Sequence, residues 1–175
     1  MGLGLKENLR LLFLYFKKED AELRNFAIGM SSEVNIKKDL HILFLDYDQA
    51  ELSDVEESVR ECQKFWNLSD CFIYKTRNGY HAYFFYDIMP YSRVVMILNY
   101  AKYVDDMFRF ISRYYDYKTI RQAGKYKEPD IKYAKMIAGP RQPSDWELEM
   151  GDLKRKERGY LAQMGDMLQK DKLKD

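Results

Sequence analysis

Apolar residues return at helical spacing near the start of the chain, where Leu5, Leu9, Leu12, Phe13 and Phe16 would share one face of a helix over 5–17. The stretch 24–30 reads as a short strand, and the mostly polar 31–39 as a loop. Leu, Ile and Phe then crowd 40–46, which predicts a strand. Ser53 with Glu56 three residues later has capping-box spacing, and Val55, Val59, Cys62 and Trp66 line one face of the helix that would follow. Two more strands, 71–76 and 81–86, flank Arg77-Asn78-Gly79, a turn signal that predicts a hairpin. Pro90 opens a long helix over 91–114, whose apolar set (Val94, Val95, Leu98, Ala101, Val104, Phe108, Ile111) is broad enough to predict burial. Strands are expected at 117–121 and 131–137, closed by Gly139-Pro140. From Asp145 the chain is charged and helical in pattern, with 169–175 expected to fray.

This order, α-β-β-α-β-β-α-β-β-α, implies an α+β fold with a mixed or antiparallel sheet. Residues 1–150 read as one domain and 151–175 as a charged helical tail. A chain of 175 residues is long enough to bury a sizeable core, and 46% hydrophobic against 33% charged residues excludes a disordered chain. A net charge of +1 argues against a protein that coats nucleic acid by charge alone. Cys62 and Cys71 fit neither a zinc pattern nor a disulfide framework, which predicts a reducing compartment. The apolar run 11–16 is short and soon meets Lys17, Lys18, Glu19 and Asp20, so a cytoplasmic location and no membrane partner are expected.

Three features carry chemistry. In Leu43-Phe44-Leu45-Asp46-Tyr47-Asp48, strand alternation puts Asp46 and Asp48 on one face. Two such carboxylates repel unless a cation lies between them, and oxygen-only donors suit Mg²⁺ or Mn²⁺. Acids that merely end a strand and start a turn give the same pattern. In Thr76-Arg77-Asn78-Gly79-Tyr80-His81, His81 opens a strand and would lie beside those carboxylates if the two strands are neighbours. The alternative is an ordinary hairpin histidine, but with only two histidines in the chain His81 gains weight in this setting. Asp116 follows the long helix and offers a third carboxylate, or a helix-end aspartate facing water. Lys118, Arg121, Lys125, Lys127, Lys132, Lys135 and Arg141 form a basic run able to meet phosphates, or a solvated face. His41, inside an apolar strand, reads as a packed histidine.

Taken in order, an hhhDhD strand (43–48), Gly79-Tyr80-His81, and Asp116 followed by Arg121 and Gly124 resemble the archaeo-eukaryotic primase (AEP) superfamily, the primase-polymerases of archaea, eukaryotes, plasmids and viruses. The likeness covers 40–125, and 25–30 loosely resembles the family's lead-in. It implies an RRM-like sheet carrying an acidic metal site, packed with a smaller αβ unit and flanking helices. It implies template-directed nucleotidyl transfer with Mg²⁺ or Mn²⁺ held by Asp46, Asp48 and Asp116, and an incoming dNTP or NTP held by His81. By chemical type, Arg77, Arg121 and Lys125 would join as phosphate contacts. The implied partners are a single-stranded or primed DNA template and a replication helicase or other replisome protein. The absence of a zinc motif and of a helicase part suggests a minimal plasmid or viral version, or an excised catalytic domain.

Other classes compete. A primase-derived or RRM-like module would bind nucleic acid without synthesis, with Tyr83 and Phe85 stacking bases on the sheet. A rolling-circle nuclease is disfavoured because neither His41 nor His81 sits in a His-x-His pair. A structural or host-interaction protein of a mobile element would use the charged tail from Lys154 onward.

Overall fold

The structure is a computed structural model that describes residues 28–35, 38–114, 117–122 and 131–171, with side chains to residue 165. The helix expected over 5–17, the first residues of the 24–30 strand and the last four residues lie outside the described residues.

Strand formation follows the apolar blocks. Five strands form one antiparallel sheet: β2 (Glu33–Asn35), β3 (Leu40–Asp48), β4 (Cys71–Lys75), β5 (Gly79–Met89) and β7 (Lys132–Ile137), in the spatial order β2-β3-β5-β4-β7. Two short strands, β1 (Gly29–Ser31) and β6 (Thr119–Arg121), pair antiparallel as a separate ribbon. The described helices are α1 (Leu52–Trp66), α2 (Tyr91–Tyr100), α3 (Asp106–Ile111) and α4 (Asp145–Asp171). The fold is therefore mixed α+β with antiparallel sheets and four helices among the described residues. No described helix is long and apolar enough to cross a membrane.

Both faces of the main sheet are covered, which is why β3 and β5 read as nearly continuous apolar runs. Leu43, Leu45 and Tyr47 of β3, with Ala82 and Phe84 of β5, pack under α1 and α2 against Val55, Val59, Val94 and Leu98. Ile42, Phe44, Tyr83 and Phe85 point the other way and pack with Met30, Ile120 and Leu161 from β1, β6 and α4. A fully buried Leu, Ile or Phe contributes about 1.5–3 kcal/mol.

The hairpin expected around Arg77-Asn78-Gly79 forms between β4 and β5. Glycine is required there for close approach: a Cβ on Gly79 would lie 1.7 Å from the Tyr47 carbonyl oxygen of β3. At Gly151 a Cβ would lie 2.3 Å from the Tyr86 ring, so this glycine lets α4 lie down on β5. The 150/151 boundary drawn from the charge run falls inside this single helix, whose Leu161 belongs to the core.

Three expectations change. The capping box of α1 is Glu51 and Asp54, not Ser53 and Glu56: the Asp54 carboxylate accepts from the Glu51 N–H at 3.4 Å, while Glu56 pairs with Lys135 at 2.7 Å. The helix over 91–114 breaks into α2 and α3, because Tyr103 takes a left-handed φ of 57° and Asp105 caps a new helix, accepting from Phe108 N–H at 2.7 Å. Part of the loop over 31–39 is strand, β2, pairing as an edge with the start of β3.

Candidate functional site

The acidic strand and the histidine strand are neighbours. Asp46 pairs with His81 across β3 and β5, and Asp48 with Gly79. His81 in turn pairs with Tyr74 of β4, and Tyr74 with Tyr133 of β7, so Asp46, His81, Tyr74 and Tyr133 form one row across the sheet. This row lies on the face covered by the β1–β6 ribbon and α4, and Asp48 sits one step further out and is exposed.

His81 is held tightly. It is 4% exposed, its Nε2 lies 3.5 Å from Asp46 Oδ1 and its Nδ1 3.3 Å from the Tyr83 hydroxyl. Gln122 Nε2 donates to that hydroxyl at 3.1 Å. The Tyr83 hydroxyl also donates to Gln122 Oε1 at 3.3 Å, and the His81 ring hydrogen-bonds the Arg121 backbone. Burial, then the charges of Arg121 and Arg158, pull the His81 pKa down to about 3, so the ring is neutral. The imidazole's neighbours are the Asp46 carboxylate, the Tyr83 hydroxyl and the Arg121 backbone, and it is not open to solvent.

Negative charge accumulates at Asp46. Burial, then Asp48 and Asp105, push its carboxyl up to about 7, against a smaller opposing effect of Arg121. Asp105 was not singled out in the sequence. Its backbone N–H donates to the Asp46 carbonyl at 2.8 Å, which brings its carboxylate near Asp46. The Asp105-Asp106 doublet, an N-cap with an acid in the first turn, was the available signal, but it was hidden inside an apolar helical pattern.

The cations divide into two groups. Arg121 ends β6 and acts on both Asp46 and His81. Lys118 is buried; its ammonium donates to the Phe108 carbonyl, and burial pulls it down to about 8 although Asp46 and Asp105 favour its charge. Arg141 and Lys135, counted in the basic run, are committed elsewhere: Arg141 to Asp87 and Glu147, Lys135 to Glu56. Arg77 sits exposed on the hairpin turn. Asp116, Gly124 and Lys125 lie outside the described residues. His41 is a packed histidine, bonded to Ser32 and Asp39 and set against the Tyr91 ring. Tyr83 and Phe85 are fully buried under the second layer, so neither offers a base a stacking surface.

Among the described residues no three His, Cys, Asp or Glu side chains are grouped to hold a metal ion. The donors at Asp46 and Asp48 still fit Mg²⁺ or Mn²⁺ in kind, being hard oxygens whose mutual repulsion Arg121 only partly offsets; such ions are commonly held by one or two carboxylates together with substrate phosphates. A cleft lined by Asp87, Met89, Arg93 and Arg141 lies at the far end of β5 from His81; Arg141 is paired there with Asp87 and Glu147, and Arg93 donates to the Trp66 carbonyl. No family model matches the chain, and no curated protein or solved structure does either.

Proposed function

We propose that this protein is a metal-dependent nucleotidyltransferase of the primase-polymerase type, acting on a DNA template with dNTP or NTP. The observation that carries the reading is the register of β3 against β5, which sets Asp46 opposite His81 with Asp48 on the same face. Support comes also from the chain path. In β3-α1-β4-β5-α2 the last strand lies between the other two, and both helices pack on one face, as an RRM-like unit requires. The β1–β6 ribbon would be the smaller flanking unit.

The chain's residues have definable roles in this reading. Asp46 and Asp48 supply the anionic oxygens for Mg²⁺ or Mn²⁺, with Asp116 as the third ligand implied by the motif order. When bound, the ion neutralises phosphate charge and lowers the barrier to phosphoryl transfer. His81 lies 3.5 Å from one Asp46 carboxylate oxygen and, in this reading, acts on the nucleotide through that side chain. Arg121 supplies positive charge opposite the carboxylates for the triphosphate, with Arg77 and Lys125 further phosphate contacts. Incorporation of labelled nucleotide on a primed or single-stranded template, with Mn²⁺, tests the assignment.

A further inference from the structure

The outer surface of the α1–α2 layer carries aromatic rings that the core does not use. Phe65, near the end of α1, stacks on Tyr100, at the end of α2, with centroids 4.6 Å apart and planes at 19°. Trp66 meets both rings edge-on, at 5.3 and 6.0 Å. With Tyr100 on one face and Trp66 at its edge, Phe65 is still 65% exposed, so its second face is open. Phe110 and Tyr114 form another exposed pair, with centroids 4.9 Å apart. Arg113 ties the two groups together: it precedes Tyr114 and donates to the side chain of Asn99, the residue before Tyr100, at 3.2 Å.

An open ring face selects a planar partner, and cations around it select an anionic one. Arg93 donates to the Trp66 carbonyl at 3.1 Å, which sets its guanidinium beside the first group of rings. The acids nearby are engaged. Glu57 and Glu61 bond Lys102 at 3.1 and 2.7 Å, and Asp106 bonds Arg109 at 3.5 Å. On the cleft side of Arg93, Asp87 and Glu147 are bound by Arg141. With Arg60 and Lys64 exposed on α1, the balance around the rings is positive. A second copy of the chain would bring the same cations face to face across a two-fold axis, which disfavours self-association here. Single-stranded nucleic acid supplies both parts, bases with open π faces and a phosphate beside each, and proteins that hold it combine cations with aromatic rings in this way. The rings also lead toward the acidic strand: α3, which carries Phe110, starts at the Asp105 cap, whose N–H bonds the Asp46 carbonyl at 2.8 Å.

We propose that Phe65, Tyr100, Phe110 and Tyr114, with Arg93 and Arg113, form a track for single-stranded nucleic acid on the helical layer, separate from the Asp46–His81 row on the other face of the sheet. That the strand on it is a template rests on the function proposed above; the track itself rests on the open rings and the cations between them.

Fluorescence anisotropy of a labelled oligodeoxythymidine of about 20 nucleotides, titrated with the full chain at low salt in EDTA, tests it. The wild type is expected to bind, and to bind a duplex of the same length more weakly, because paired bases are not free to stack. Phe65→Ala and Tyr114→Ala should each weaken binding about tenfold. Phe65→Leu should lose nearly as much, since it keeps apolar bulk and loses the π face. Arg113→Gln should weaken binding and lower its salt slope by about one. Thermal unfolding checks that each variant folds; should Phe65→Ala fail to fold, Phe65→Leu and Tyr114→Ala carry the comparison. No oligonucleotide binding by the wild type, equal binding of the duplex, or wild-type affinity in folded Phe65→Leu and Tyr114→Ala overturns the track. So does self-association in sedimentation that Phe65→Ala abolishes while oligonucleotide binding is unchanged, which would assign the patch to a second copy. Binding through Phe65 by a protein that incorporates no nucleotide would leave the track standing and remove the nucleotidyl-transfer reading; incorporation with binding indifferent to Phe65 and Tyr114 would do the reverse.

Discussion

Asp46 and His81 face each other across β3 and β5, with His81 Nε2 3.5 Å from Asp46 Oδ1. The contact joins a carboxylate that burial and two other aspartates disfavour as an anion to a ring that burial and two arginines disfavour as a cation. Their proton balance therefore sets how this end of the sheet responds to pH.

Asp46 titrates at about 7 in the native protein against an ordinary 3.8, so the native state keeps this proton where the unfolded chain has released it. Its contribution to stability falls as pH rises from the ordinary value to the native one and is gone above it. His81 has the opposite sign: lowered from 6.5 to about 3, it costs stability as pH falls through that window. Asp46→Asn removes the first effect and keeps the second. The variant is expected to be more stable than wild type by roughly 2–4 kcal/mol near about pH 8, with the difference shrinking toward zero near about pH 4. Urea unfolding across that range measures it. Mn²⁺ should raise the wild-type midpoint at the alkaline end and leave Asp46→Asn unmoved.

Asp105 has two separable jobs, helix cap and nearby charge. Asn caps as well as Asp, so at about pH 4 or below, where Asp46 keeps its proton, Asp105→Asn should keep wild-type stability, whereas Asp105→Ala should lose about 1 kcal/mol. Both should lower the native Asp46 pKa, because both remove a neighbouring negative charge. Following the Asp46 carboxyl by NMR titration separates cap from charge; an unmoved pKa in Asp105→Asn would show that the two carboxylates do not interact.

Gly79→Ala should be costly out of proportion to one methyl group. The added carbon meets the Tyr47 carbonyl of the neighbouring strand, backbone that moves only if β3 and β5 separate at the acidic end. A loss of roughly 3 kcal/mol is expected from unfolding curves. Retained stability would mean that the hairpin can shift without disturbing the pairing.

The ion pairs at the other end of β5 should matter for folding alone. Asp87 is 2% exposed and accepts from the Ser69 amide, the Ser69 hydroxyl and Arg141. Arg141→Met strands that carboxylate and should cost about 3–5 kcal/mol, with Asp87→Asn in the same chain recovering part of the loss. Denaturation midpoints of the single and double variants give the answer, and additive losses would contradict it.

The sequence was most legible where a local rule acts alone. The β3 apolar block, the Arg77-Asn78-Gly79 turn and the α1 face were each read within a few residues, because periodicity and turn chemistry are local. The side-by-side placement of Asp46 and His81 was reachable only conditionally, since adjacency of β3 and β5 is a property of the sheet. The break at 101–105 was not readable from apolar spacing, as Ala101 and Val104 within it are buried like the apolar residues of the preceding helix. The fates of Arg141 and Arg158 were likewise hidden: one follows Gly139-Pro140 and the other sits in a charged helix, and only packing decides that Arg141 is fully paired while Arg158 leaves its Nε unbonded.

The most direct measurement is single-nucleotide extension of a labelled primer on a DNA template, with Mn²⁺ and either dNTPs or NTPs, comparing wild type with Asp46→Asn and Asp48→Asn. The account predicts metal-dependent extension by the wild type and a loss of at least about a hundredfold in each variant, with both variants folded. Extension that persists at the wild-type rate in Asp46→Asn, or no incorporation by the wild type with either nucleotide class, would contradict it.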